Sequence, residues 1–105
     1  MTRTLQLRRY ELAPGGGAEF VAWWAPRIPQ VRAAHGFRVV SAMLHDAGDE
    51  FTWTVAYDGD EAAFRAAEEG YVQDPRRIAA FEVAPPLRRQ HIAFVTEVPF
   101  GAPGS

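Results

Sequence analysis

The chain has 105 residues, 48% of them hydrophobic, with 11 basic and 13 acidic residues and a formal net charge of −2. This composition is typical of one small soluble globular domain, and the mixed charge offers no positive field that would favour nucleic acid. Every basic residue is arginine and cysteine is absent, which excludes lysine Schiff bases, thiolate catalysis and disulfides.

The first predicted element is a strand from Thr4 to Leu12, which the Pro14-Gly15 step ends. Side chains alternate between the two faces of a strand, so Arg8 and Tyr10 share one face. One face of the sheet therefore carries a permanent cation beside a phenol.

A helical stripe follows, and we expect its helix to begin near Ala18 and to end at Gly36. Apolar residues recur there at spacings of three or four, at Phe20, Trp24, Ile28, Val31 and then His35. Because a proline inside a helix removes a backbone hydrogen bond, Pro26 and Pro29 predict a kink or two short helices, with Pro26 starting the second.

The middle of the chain predicts a hairpin. Two strands, Phe37 to Asp46 and Glu50 to Asp58, flank the short turn at 47–49. In the second strand the bulky residues fall on one face, which we expect to face the helices: Phe51, Trp53, Val55 and Tyr57.

The last third predicts two helices and a strand. Asp58 with Glu61 forms a capping-box pattern before a helix over Ala62 to Glu69, and Asp74-Pro75 starts a short helix. The final strand runs from Gln90 to Val98, and residues 101–105 form a flexible tail.

This order of elements predicts an α+β fold of the ferredoxin-like split βαβ type (βαββαβ), with a four-stranded antiparallel sheet and helices on one face. The opposite sheet face would lack a cover within the chain. We therefore expect a homodimer formed through that sheet face.

Several segments together resemble the NIPSNAP family of the dimeric α+β barrel superfamily. They are L-R-R-Y-E-L-A-P-G at 7–15, the helix at 20–24, the strand end V-A-Y-D at 55–58, and Asp74-Pro75. The resemblance spans about Thr4 to Val98 and implies one domain over residues 1–100. It also implies a homodimer whose sheets form a shared barrel, with a pocket in each subunit between sheet and helices. It implies little about chemistry, because the superfamily includes monooxygenases, isomerases, haem enzymes and non-catalytic proteins.

Three residues are candidates for catalysis. Arg8 is costly to bury without an anion, so it could anchor a carboxylate, enolate or phenolate; the alternative is an ion pair with Glu68, Glu69 or a dimer partner. Tyr10 could donate a proton to the same ligand or bond a backbone carbonyl. His91 lies mid-strand among apolar residues and is the histidine that best fits a pocket or the dimer interface.

The other two histidines are interpreted as structural or solvated. His35 lies at a helix end and His45 near the hairpin turn. The three histidines show no metal-binding spacing, and a chain this short disfavours a haem pocket. We therefore expect no cofactor and no metal.

The aromatic residues could wall a cavity for a flat or apolar small molecule, or could simply fill the core. The five candidates for substrate binding are Phe20, Trp23, Trp24, Trp53 and Tyr57.

Two functions remain open from the sequence. The first is a small cofactor-independent enzyme acting on an apolar or aromatic carbonyl-containing molecule, as an isomerase, cyclase or monooxygenase. The second is a non-catalytic dimeric binding domain. No apolar run is long enough to span a bilayer and no hydrophobic signal core is present, so we expect no membrane partner and a cytoplasmic location.

Overall fold

The computed structural model describes residues 2–101. Four strands and four helices follow one another along the chain: β1 (Arg3–Leu12), α1 (Gly17–Trp24), α2 (Ile28–Ala34), β2 (Phe37–Leu44), β3 (Glu50–Asp58), α3 (Glu61–Gln73), α4 (Pro75–Glu82) and β4 (Leu87–Val95). Apart from Gly101, the predicted flexible tail lies outside the described residues.

The strands form one antiparallel sheet in the order β2-β3-β1-β4. Central strand β1 pairs with both β3 and β4, so it places its side chains in the middle of the sheet. This arrangement confirms the predicted α+β, ferredoxin-like fold.

The first helical segment is divided into two short helices, as the two prolines predict. The second helix begins at Ile28, with Pro29 in its first turn, and not at Pro26. A first-turn proline is tolerated because its missing N–H would have no partner inside the helix. Gly36 ends the segment with φ +87°, a conformation that glycine adopts readily.

The start of α3 differs from the prediction. Asp60, and not Asp58, is the N-cap, and its carboxylate accepts a hydrogen bond from the Ala63 N–H at 2.9 Å. Gly59, with φ +153°, turns the chain between the two aspartates. Asp74 caps α4 through the Arg76 N–H as expected from Asp74-Pro75.

Strand β4 begins three residues earlier than predicted and also ends three residues earlier. Its pairing with β1 runs from Leu87, opposite Leu12, to Val95, opposite Leu5. The ladder ends at Val95, although β1 extends two residues further to Arg3 and still pairs with β3 there.

The core lies between one face of the sheet and the helices. The bulky residues of β3 face it as predicted, and Trp53, Phe20 and Phe64 are its largest fully buried side chains. The opposite sheet face carries Leu7, Thr54 and Ala93 side by side, and no helix of the described part of the chain packs on it.

Among residues 2–101 no helix is long and apolar enough to cross a membrane.

Candidate functional site

A cavity of about 170 Å³ lies between the sheet and the helices, all four of which contribute to its lining. Aromatic rings form most of its apolar wall, and three arginines, two tyrosines and Gln90 supply the polar groups. The arginines are Arg8 from β1, Arg32 from α2 and Arg77 from α4. No acidic side chain of the described residues lines this cavity.

Arg8 and Tyr10 are joined directly, since the Arg8 Nε–H donates to the Tyr10 hydroxyl oxygen at 2.9 Å. Arg8 Nη1 also donates to Gln6 Oε1 at 2.7 Å. These two bonds occupy two of the five N–H donors of the guanidinium. Because the Tyr10 oxygen already accepts from Arg8, its own O–H proton remains available to an acceptor on a ligand. The predicted pairing on one face is therefore what the structure has.

Arg32 is the most deeply buried cation, with its side chain 3% exposed. Its Nη1 donates to Glu68 Oε2 at 2.9 Å, and the same oxygen lies 3.9 Å from Arg8 Nη1. The Arg32 guanidinium carbon also lies 4.0 Å from the centroid of the Tyr71 ring. Glu68 thus pairs with both arginines, which is the structural partner weighed for Arg8 in the sequence.

Burial changes the titration of this cluster. Desolvation lowers the pKa of Arg32, and the neighbouring Arg8 charge acts in the same direction. Burial also raises the pKa of Tyr71, although Arg32 and Arg77 oppose that change. The Tyr71 phenol is therefore neutral at neutral pH and does not compensate the charge of the arginines.

Several donors around the cavity have no acceptor among residues 2–101. These buried nitrogens are Trp24 Nε1, Trp53 Nε1, Arg32 Nε and Arg77 Nε. In contrast, Trp23 Nε1 donates to the Ala80 carbonyl at 2.8 Å. Unpaired buried donors are uncommon in folded proteins, and they cluster here at one end of the core.

Four of the five aromatic residues predicted to bind substrate line the cavity: Phe20, Trp23, Trp24 and Trp53. The prediction for Tyr57 is wrong. Its ring packs against Phe37 at 5.2 Å and Phe64 at 6.4 Å between centroids, in a part of the core away from the cavity.

The prediction that His91 acts beside Arg8 and Tyr10 is also wrong, because His91 lies on the other face of the sheet. His91 pairs with Arg9 across the β1–β4 ladder, so it lies on the uncovered sheet face. Its Nε2 lies 3.0 Å from Glu11 Oε2, and this hydrogen bond is the largest cause of the lowered pKa of Glu11.

His35 is structural, as interpreted from its place at a helix end. Its Nε2 lies 2.8 Å from Asp74 Oδ2, and this contact joins the end of α2 to the N-cap of α4. Hydrogen bonds from Arg76, and then from His35, hold the pKa of Asp74 well below its usual range.

Sequence reasoning missed Arg32, Tyr71 and Arg77. A signal for Arg32 was present in the sequence, because Phe20, Trp24, Ile28 and Arg32 follow one another at intervals of four residues. The predicted buried stripe continued instead through Val31 and His35, which placed Arg32 outside it. In the structure both Val31 and Arg32 are buried. Within residues 2–101 no group of three or more His, Cys, Asp or Glu residues could hold a metal ion.

Comparison with known proteins identifies a family. The NIPSNAP family model matches residues 5–102, which is most of the chain. A search of the curated proteins found no match to this chain.

Solved structures share the fold. A NIPSNAP domain protein from Burkholderia xenovorans is 22% identical with a TM-score of 0.78, covering 94% of this chain and 98% of that one. A NIPSNAP family protein of unknown function from Agrobacterium tumefaciens is 12% identical with a TM-score of 0.82, covering 94% and 91%. A candidate antibiotic biosynthesis monooxygenase from Bacteroides thetaiotaomicron is 16% identical with a TM-score of 0.67, covering 96% and 94%. At these identities the likeness shows the fold alone.

Proposed function

The chain belongs to the NIPSNAP family, and we propose that it is a small enzyme that acts on an apolar or aromatic carbonyl-containing molecule through an enolate-like transition state. The observation that carries this proposal is the cavity reached by both Arg8 and Tyr10. A filled core at this place would favour a purely structural pair of residues instead. The same fold occurs in a candidate antibiotic biosynthesis monooxygenase, so it can accommodate an enzyme.

Arg8 and Tyr10 suit this chemistry because negative charge develops on a carbonyl oxygen as the enolate forms. A guanidinium held by Gln6 and Tyr10 is preorganised to stabilise that charge. The free O–H of Tyr10 donates to the same oxygen, while the proton leaving the α-carbon passes to solvent. Isomerisation, cyclisation and oxygenation of a carbonyl compound can all begin with this step.

The volume of the cavity limits the size of the substrate. An apolar cavity of about 150 Å³ accommodates benzene, so about 170 Å³ fits one aromatic ring with a short carbonyl side chain. The rings of Trp24, Trp53 and Phe20 provide flat apolar surfaces against which such a ring packs.

Exchange of α-protons for deuterium tests the proposal even though the natural substrate is not identified. The protein would be incubated in D₂O with one-ring aryl alkyl ketones, and the loss of the α-proton signal followed by NMR. We expect exchange above the buffer rate, and a fall of about 100-fold or more in Arg8→Met and Tyr10→Phe. Arg65→Met, at an exposed arginine on α3 outside the cavity lining, is the charge-matched control. Exchange that Arg8→Met leaves unchanged would contradict the proposal.

A second proposal concerns assembly, and it underlies the alternative function as a non-catalytic dimeric binding domain. The uncovered sheet face carries Leu7, Ala93 and Met43, with Met43 55% exposed, and a second copy of this chain would cover these apolar groups. Light scattering should therefore give twice the monomer mass. Ala93→Arg on this face should reduce the mass to the monomer, whereas Ala79→Arg on the exposed surface of α4 should not.

A further inference from the structure

The cavity holds more positive charge than the proposed chemistry uses. That chemistry needs only Arg8, whereas Arg32 and Arg77 also line the same wall. The carboxylate that pairs with this group is Glu68, which accepts from Arg32 at 2.9 Å and lies 3.9 Å from Arg8. Arg77 has no ion pair among residues 2–101. The cluster therefore carries three positive charges against one negative charge.

The surroundings do not neutralise this excess. Tyr71, which lies between Arg32 and Arg77, stays a neutral phenol because burial raises its pKa. Asp74, beyond Tyr71, is already paired with Arg76 and His35. A guanidinium cannot lose its charge at neutral pH as a lysine or histidine can.

Four donors in and beside the cluster also lack acceptors among residues 2–101. The Arg32 side chain is 97% buried, yet its Nε has no hydrogen-bond partner among the described residues, and the same holds for Arg77 Nε and for the indole nitrogens of Trp24 and Trp53. Buried charges in proteins are normally paired, and buried donors normally find acceptors. A ligand that brings negative charge and acceptor oxygens to the arginines lining this cavity balances the excess positive charge.

We propose that the natural ligand of this cavity is a one-ring aromatic acid that carries a carboxylate as well as the reacting carbonyl. The carboxylate binds to Arg32 and Arg77, which leaves Arg8 and Tyr10 for the carbonyl oxygen. This inference rests on the proposed function, since it concerns the same cavity and adds the charge of the substrate. A guanidinium matches the planar geometry of a carboxylate and forms charge-assisted hydrogen bonds with it.

Two probes of nearly equal shape separate charge from size. Benzoylformate carries an aromatic ring, a ketone and a carboxylate, and 1-phenylpropane-1,2-dione replaces one carboxylate oxygen by a methyl group. Calorimetry with the full chain should give tighter binding of benzoylformate by about 10- to 100-fold. Arg32→Met and Arg77→Met should each reduce this preference to within a few-fold, whereas Arg65→Met should retain it.

The outcomes distinguish this inference from the proposed function. Equal binding of the two probes, or a preference that Arg77→Met leaves unchanged, would overturn the inference while ketone exchange could still proceed. No binding of either probe at millimolar concentration would also overturn it. If the unmodified protein does not exchange the α-protons of aryl alkyl ketones, the proposed function is contradicted instead. Arg77 is less buried than Arg32, so its variant keeps the test decisive if Arg32→Met does not fold.

Discussion

The hydrogen bond between Arg8 and Tyr10 provides the sharpest test of the site in the free protein. The donor Nε and the acceptor oxygen lie 2.9 Å apart, an ordinary N–H···O distance. The Tyr10 residue is 6% exposed and the Arg8 side chain 12% exposed, so water competes little for the bond. A hydrogen bond to a charged group contributes about 1.5–3 kcal/mol, and we expect a coupling free energy of about 2 kcal/mol between the two residues.

A double-mutant cycle with Arg8→Met and Tyr10→Phe isolates this coupling. Tyr10→Phe should destabilise the protein, because it leaves the Arg8 Nε–H buried without its acceptor. Arg8→Met gives a mixed result, since it removes the same bond but also relieves repulsion between Arg8 and Arg32. Only the difference between the effects of Tyr10→Phe in the two backgrounds reports the bond itself.

Urea unfolding of the four proteins at pH 7 measures the free energy of unfolding, with an unchanged m-value as the condition for comparison. The matched control is a second cycle that combines Arg8→Met with Tyr57→Phe. Tyr57 packs with Phe37 and Phe64 and does not line the cavity. Its coupling to Arg8→Met should stay below about 0.5 kcal/mol. If the coupling between Arg8 and Tyr10 is equally small, the hydrogen bond does not hold the two side chains together in the free protein.

Three further changes test the scaffold. Phe64→Ala, at a side chain with no exposed area, should lower the free energy of unfolding by about 3–5 kcal/mol in urea titrations, whereas exposed Val72→Ala should change it by less than about 0.5 kcal/mol. Asp74→Asn removes a carboxylate whose pKa is lowered in the fold, so the wild-type advantage in urea midpoint should be full at pH 7 and should shrink as pH falls below about 4; an advantage independent of pH would contradict this. Gly36→Ala places a Cβ at φ +87° and 3.1 Å from the Tyr57 ring, and calorimetric melting should show a loss of about 1–2 kcal/mol.

Local patterns were sufficient to predict most of the fold. The alternation of large and small residues along β3 predicted its buried face, and the prolines predicted the break between α1 and α2. Element ends were less predictable because they depend on neighbours. Strand β4 begins at Leu87 because Leu12 is there to pair with it, and the choice of Asp60 over Asp58 follows from the turn at Gly59.

In the candidate site, too, local relations could be predicted from the sequence and relations between strands could not. Arg8 and Tyr10 are two residues apart on one strand, so the sequence alone places them together. His91 comes from a different strand, and the face that it shares with β1 depends on the register between the two strands, which pairs it with Arg9. A shift of one residue would have placed it beside Arg8, and a sequence does not contain that information directly.

The core of this protein has two parts with different roles. Around Phe64, rings from Phe37, Tyr57 and Phe94 approach with centroids 5.0–6.4 Å apart, and none of these four residues lines the cavity. Around Arg32, aromatic rings pack equally closely, as Trp24 does on Trp53 at 5.2 Å, but cations and indole nitrogens without acceptors lie beside the cavity there. Buried charge and unpaired donors of this kind cost stability in the free protein. Packing near Phe64 must offset that loss, because a small domain has little stability to spare. Substitutions near Phe64 should therefore change stability with little effect on which ligand binds, whereas substitutions at Arg32 or Arg77 should change ligand preference.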